Sequence, residues 1–528
     1  MNSINSNSVE FYPKIITDYL SGELKSKNII DWEYSQEQLV SNKGRCYSSK
    51  NRLAVHKAIL NQYAPFDLTK KESLHIHLFS KESTYTVTTG HQLTLLGGPM
   101  FFYTKIIDVI KLAQQTSTSK NPVLPVFWMA SEDHDYKEIS TINLFGKKIN
   151  CPGSDKGPVG RIPKEYFEGF FKEINQILGE GDEFSQIKGL INKAFDSGKS
   201  LSEITRIFVR ELFKEDGLLI LDADSPDLKT LFSEVAQKEL FEEITYKSSK
   251  KHLIRLKSEY KLQVNPREIN LFYIEDGIRK RLIKTEKGFA TSDHSVFWTP
   301  SEMKKLVADS PEKLSPNVLL RAVYQEILLP NIAYVGGAGE IAYWLEMKPV
   351  FDAFKLDFPI PLVRNSFFIL SEKSRRWLED NDVSLDSLFD DIGIQINKLT
   401  KGLSSDFLSF DEDFKALKEF YSGLKLKGEK INPQLEKVVS GEEKRAYSAL
   451  KNVEKRFLNA EKKKHEQEIM RLQQIVSKLF PKGKAMERVD SFIPYISQDS
   501  RGFKEQIIAA PSLFEHKIVF LEIKNNRF

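Results

Sequence analysis

At 528 residues the chain is too long for one simple core, and two or three domains are expected. Apolar residues at 41% and charged residues at 28% describe a globular, water-soluble chain and exclude a disordered one. Lysine and arginine number 77 against 73 acids, which lacks the basic excess of a nucleic-acid binder. The two cysteines, Cys46 and Cys151, exclude a cysteine-rich zinc site and suit a reducing cytoplasm.

The opening "MNSINSNSVEFYPKIITDYLSG" has neither a basic start nor an apolar core, so no signal peptide is read there. Residues 1–80 read as polar helices, with Leu53, Ile59 and Leu60 as an apolar face. The run Ser83–Thr104 carries no charge, yet its Thr, His91, Gln92 and Gly97-Gly98-Pro99 exclude a membrane span. Within it "TYTVTT" predicts a strand, Gly90–Gly98 a loop, and Pro99 the first residue of a helix. That helix, "MFFYTKIIDVIKLA", has apolar residues at 102, 106, 109, 110 and 113. "PVLPVFWMAS" predicts a second buried strand running into "EDHDYKEI", the start of a doubly wound sheet.

A helical insertion follows near 165–215, and "DGLLILDAD" is another strand ending in acids. "NLFYIEDGIRKRLIK" predicts a hairpin turning at Asp276-Gly277. "SPNVLLRAVYQEILL" is helix, "NIAYVGGAGEIAYWLEMKPVFDAF" a second strand–glycine turn–helix unit, and "DFPIPLVRNSFFIL" the last strand. From 371 to 480 the chain is Lys/Glu-rich, with short heptad-like stripes that change phase across "EKKKHEQE". An antiparallel helical hairpin or short coiled coil is expected, with a homodimer contact on it. The division is thus a core over 1–370, a hairpin over 371–480, and a segment over 481–528 that returns to the core.

Three constellations carry candidate chemistry. The glycine loop before the Pro99 helix can gather free backbone N–H groups at the positive end of a helix dipole, a phosphate site in which acids would be unwelcome. Gly90, His91, Gln92, Gly97, Gly98, Pro99 and Lys105 belong to it; the plain alternative is a tight turn under a buried helix. The spacing fits neither the dinucleotide nor the Walker pattern. The second is Glu132, Asp133, His134 and Asp135, just past a strand where α/β ligands collect. They suit an amine, a ribose, Mg²⁺ or general-base work; helix capping by an Asp is the alternative. The third pairs Asn317 and Arg321 on one helix with the Gly336-Gly337 turn, Glu340 and Tyr343 of the next unit. Arg267, Arg279 and Arg281 add candidates for carboxylate or phosphate recognition.

"TGHQLTLLGGPMFFYTKI", "VFWMASEDHDYKEI", "VNPREINLFYIEDGIR", "LSPNVLLRAVYQEILLPNIAYVGGAGEIAYW" and "LFPKGKAMERV" together resemble the BshC family, the cysteine-adding enzymes of bacillithiol biosynthesis. The resemblance implies a Rossmann-like core related to class I aminoacyl-tRNA synthetases and nucleotidyl transferases, with helical insertions and a dimerising coiled coil. It implies ligation of L-cysteine to the amine of glucosaminyl-malate in the cytoplasm. ATP, with Mg²⁺, would activate the cysteine carboxylate as an adenylate; neither nucleic acid nor membrane enters. Catalysis would fall to Asp133, His134 and Asp135. The Gly90–Pro99 residues and Lys105 would hold ATP. Trp128, Glu132, Asn317, Arg321, Gly336, Gly337, Glu340 and Tyr343 would line the substrate pocket. The chain departs from class I enzymes in having Leu96-Gly97-Gly98-Pro99 where they carry two histidines, and only Lys313-x-Ser315 of their mobile lysine loop. It also has no Cys/His zinc set, so no zinc is expected. Rival readings are a metal-dependent hydrolase built on Asp133, His134 and Asp135, and a non-catalytic nucleotide-binding scaffold.

Overall fold

The computed structural model describes residues 2–44, 47–153, 157–275, 277–404 and 409–523; Cys46 and Asp276 lie outside them. The chain divides into two units, 1–368 with 487–521, and 369–486.

In the first unit, the uncharged stretch places Tyr85–Gln92 at the middle of a five-stranded parallel sheet. Across the sheet run Ile360–Val363, Asn331–Gly336, Tyr85–Gln92, Val123–Ala130 and Leu219–Asp222. Numbered along the chain, that order is 5-4-1-2-3, the doubly wound arrangement of a Rossmann fold, with its switch point between the first and fourth strands. A parallel sheet is covered on both faces, which is why its strands read as apolar runs. Adjacent residues of the second strand show both coverings: Phe127 meets Phe102 edge-on at 5.4 Å, and Trp128 meets Tyr324 at 5.6 Å. Strand neighbours point to opposite faces, so the Met100–Thr116 helix covers one face and the Val318–Leu328 helix the other. The expected Rossmann-like core and helical insertion are present, the latter as Glu168–Leu178, Asp182–Ser197 and Leu201–Phe213.

Several expectations are corrected. Gly90 lies inside the first strand, not in the loop after it. Pro99 caps the Met100–Thr116 helix from outside. Leu53 and Leu60 are 65% and 47% exposed, because the Ser49–Tyr63 helix buries Val55, Ala58, Ile59 and Tyr63 instead. The last predicted strand is two, Ile360–Val363 and Ser366–Ser371, broken at Arg364-Asn365. The hairpin forms from Leu271–Glu275 and Ile278–Thr285, but within a separate antiparallel sheet with Gly288–Thr291, Phe297–Trp298 and Leu314–Pro316.

The second unit is helical. Asp411–Ile431 and Gln434–Lys464 are joined by two residues, Asn432 and Pro433. Phe414 meets Tyr447 at 4.7 Å and Phe410 meets Phe457 at 5.4 Å, the outward progression of an antiparallel hairpin. The helix breaks at His465, where the stripe phase changes, and Glu466–Leu479 continues with Leu472, Ile475 and Leu479 buried.

Candidate functional site

The parallel strands all point their carboxyl ends to one edge of the sheet, and the predicted residues gather there in two clusters. One is at the switch point. Gly90 and Trp128 are register partners and face the Arg321 helix. A side chain at Gly90 would stand 3.0 Å from Arg321 Nη1 and 3.3 Å from the Tyr334 hydroxyl, so glycine is what lets Arg321 approach the strand. Arg321 Nη2 donates to the Tyr343 hydroxyl at 2.9 Å and lies 3.7 Å from Glu340. Its Nη1 is buried without a partner among the described residues. Lys105 crosses the strand end from the opposite helix, donating to the Gly90 carbonyl at 2.6 Å and pairing with Glu340 at 3.3 Å. The Tyr334 hydroxyl donates to Glu340 and accepts from the Gly90 N–H at 3.2 Å. Burial lowers the Lys105 ammonium, with Glu340 opposing. Burial alone would raise Glu340, yet Lys105 and Arg321 bring it below the usual carboxylate range. His91 packs 5.2 Å from Phe101 and Phe102, and burial plus Lys105 lowers it to about 4, leaving it neutral.

The second cluster lies past the second strand. Asp133 accepts from Gln92 Nε2 at 2.7 Å and from the His134 N–H at 2.7 Å, and stands 3.9 Å from Arg279. Burial works against its charge, but the His134, Gln92 and Arg279 contacts hold its carboxyl well below the usual range. Arg279 is fixed by Ser315 Oγ at 3.1 Å, the Pro316 carbonyl at 2.8 Å and the Phe272 ring at 3.9 Å. Its Nη1 is 2.7 Å from His134 Nδ1. A guanidinium only donates, so His134 accepts on Nδ1 and presents Nε2–H outward.

Other candidates are structural. Glu132 is paired with Lys229, which is itself buried and also donates to the Leu314 carbonyl at 2.7 Å. Asp135 caps the Tyr136–Ile139 turn, accepting from the Glu138 N–H at 3.3 Å. Asn317 caps the Arg321 helix, accepting from Leu319 and Leu320 N–H at 3.0 and 3.1 Å. Trp128 is core, 2% exposed. The loop proposed as an anion cradle has its amides already paired: Thr94 to Gln92 O, Gly97 to Thr94 O, Gly98 to Leu95 O and Met100 to Asp490 O, all within 3.0 Å. Leu96, Gly97 and Gly98 are three successive left-handed residues, with φ of 50, 78 and 63°. The glycines thus serve a tight turn packed against Phe102, Phe492 and Thr94, and the plain alternative describes this loop. Arg267 is exposed, away from both clusters in burial. Sequence reasoning passed over Tyr334, Lys229 and Arg364; only Arg364 had a legible signal, its place directly after a strand. Among the described residues no group of three or more His, Cys, Asp or Glu is placed to hold a metal ion. No helix among them is long and apolar enough to cross a membrane.

A parallel sheet in Rossmann order, with opposed charges at its switch point, defines an α/β protein built to hold a small polar ligand outside its strand ends. The chain belongs to the BshC family: residues 1–365 match the family description "Bacillithiol biosynthesis BshC, N-terminal Rossmann-like domain", and 367–522 match "Bacillithiol biosynthesis BshC, C-terminal coiled-coil domain". Relatives named "Putative cysteine ligase BshC" in Flavobacterium psychrophilum and Flavobacterium johnsoniae are each 35% identical over 488 residues, covering 91% of this chain and 92% of theirs. One in Christiangramia forsetii is 32% identical, covering 93% of both.

Proposed function

We propose that this protein joins the carboxylate of L-cysteine to the amine of glucosaminyl-malate in the cytoplasm, with ATP activating the carboxylate, at the edge of the sheet just described. The observation that carries the reading is the opposition of an ionised Asp133 on one side and the incompletely paired Arg321 on the other, at a Rossmann switch point. An amide forms from a free carboxylate only when one of its oxygens becomes a leaving group, and ATP supplies that leaving group when bound. Asp133, held as an anion, accepts from an ammonium such as the α-ammonium of cysteine. The Nε2–H of His134 is a donor that orients a substrate oxygen; with Nδ1 facing Arg279, the ring acts as a guide and not as a base. Arg321 Nη1, buried and without an acceptor, suits negative charge that develops on the activated group. A donor of that kind contributes about 3 kcal/mol to comparable reactions. Asp133 and Arg321 replace the first loop as the proposed contacts, because that loop has no free amide to offer. The exposed apolar residues of the hairpin, Phe420, Leu426 and Val438, fit a second copy of the chain, and we assign the homodimer contact to them.

The test is a comparison of thiol pools with and without the gene, beside an assay of the purified protein with cysteine, glucosaminyl-malate and ATP. Loss of bacillithiol with accumulation of glucosaminyl-malate is expected; unchanged pools remove the proposal.

A further inference from the structure

Nucleotide-binding sheets hold phosphate at a helix N-terminus, and the first such terminus in this fold is closed. The second is open. The helix Ala338–Glu346, nine residues long, starts directly at the carboxyl end of the fourth strand. Its Ala338, Gly339 and Glu340 amides have no earlier turn to donate to, and none is paired among the described residues. Gly337 and Gly339 are partly accessible. The Gly337 amide reaches Glu340 Oε2 at 3.4 Å, a long contact, while Glu340 is engaged by Lys105 and Tyr334.

A second, independent feature points at the same place. Arg364 leaves the fifth strand and docks its own N–H on the Gly336 carbonyl at 2.9 Å. Its side chain is 3% exposed. Nη1 and Nη2 grip Glu487 at 2.8 Å each, and the guanidinium rides 4.9 Å over Phe101. Its Nε is buried with no hydrogen-bond partner, and it is the atom nearest to where a side chain at Gly337 would begin, 3.8 Å away. A buried guanidinium N–H left unmade is costly, and here it is directed at a helix start that already favours negative charge. Lys105, Arg321 and Arg364 against Glu340 and Glu487, three cations to two anions, leave the surroundings net positive.

We infer that Gly337–Gly339 and the Nε of Arg364 form an oxyanion subsite, which takes one phosphate group of a nucleotide or one carboxylate of the acceptor substrate. The inference deepens the proposed ligase reading by giving the anionic part of a reactant a place. Gly339 offers a clean probe, because a side chain there would meet nothing within 4 Å and its backbone is not left-handed. Gly339→Asp sets a competing carboxylate at the helix start, and Gly339→Asn sets a neutral group of the same size. Titration calorimetry with ATP, inorganic pyrophosphate and L-malate reads the effect. Weakening of ATP and pyrophosphate by tenfold or more in Gly339→Asp, with Gly339→Asn within twofold, identifies a phosphate subsite. The same pattern with L-malate alone identifies a carboxylate subsite. No binding of any probe at millimolar concentration, a change below twofold, or equal loss in both variants overturns the inference. Product formation by the unaltered protein is measured beside it. Charge-dependent binding without product leaves the subsite standing and removes the ligase reading, whereas product with unaltered binding in Gly339→Asp does the reverse.

Discussion

Lys105 and Glu340 are expected to act as one unit, and a double-mutant cycle on Lys105→Met and Glu340→Gln measures it. Lys105 is 2% exposed, and its ammonium has two acceptors, the Gly90 carbonyl at 2.6 Å and Glu340 at 3.3 Å. Removing one partner of a buried ion pair costs about 3–5 kcal/mol when the other is stranded. Glu340 is not fully stranded, since Arg321 remains at 3.7 Å and the Tyr334 hydroxyl still donates to it. Lys105→Met should therefore cost about 2–3 kcal/mol. Glu340→Gln should cost less, about 1–2 kcal/mol, because an amide oxygen still accepts and burial already lowers the Lys105 ammonium. The double variant should fall short of the sum by about 1–2 kcal/mol. Urea unfolding followed by tryptophan emission is a suitable assay, since Trp32, Trp128, Trp298 and Trp344 lie in the first unit. Single effects that add to within about 0.5 kcal/mol would refute the coupling, and with it the picture of Lys105 as the tie between the two halves of the switch point.

Glu346 is buried, accepts from the Gln263 and Val264 N–H groups at 2.8 and 3.0 Å, and burial raises it to about 7. The folded state therefore holds this proton more tightly than the unfolded chain. Stability should fall as pH rises from about 4.5 to about 7, by up to about 3 kcal/mol; a pH series of unfolding midpoints in which Glu346→Gln keeps the full slope would exclude this source. Gly98→Ala should destabilise by about 2–3 kcal/mol, since φ is 63° and the new methyl would stand 2.9 Å from Thr94. Gly339→Ala, with open space at its Cβ, should be neutral or stabilising by about 0.5–1 kcal/mol, and thermal unfolding separates the two glycines. Leu426, 63% exposed on the hairpin, should be replaceable by Glu without loss of fold; sedimentation should then show monomer in place of dimer, and an unchanged species would move the dimer contact elsewhere.

The parallel sheet was legible because burial on both faces leaves a simple mark, short charge-free strands punctuated by glycine and acids. The antiparallel sheet was not, since only its hairpin has a turn signal and the strand Leu314–Pro316 is three residues long. Helix faces were misjudged where snorkelling and small residues do the packing: Arg52 is buried in the Ser49–Tyr63 helix while Leu53 is out. The same limit explains the site. Sequence placed Glu132, Asp133, His134 and Asp135 together, but which of four neighbours meets a ligand depends on partners distant in the chain. Lys229 takes Glu132, the turn takes Asp135, and Arg279 and Gln92 leave Asp133 fixed and charged. The uncharged run around Gly90 makes the point most fully. Its threonines read as ligand donors, yet Thr86 and Thr88 donate to Asn331 and Thr89 to the Val335 carbonyl, tying the first strand to the fourth across the switch point. A charge in that run would disrupt the seam between the two halves of the sheet. Its absence is therefore a requirement of folding, and the polarity that a ligand would meet is supplied from outside the run, by Arg321, Glu340 and the one lysine that follows it.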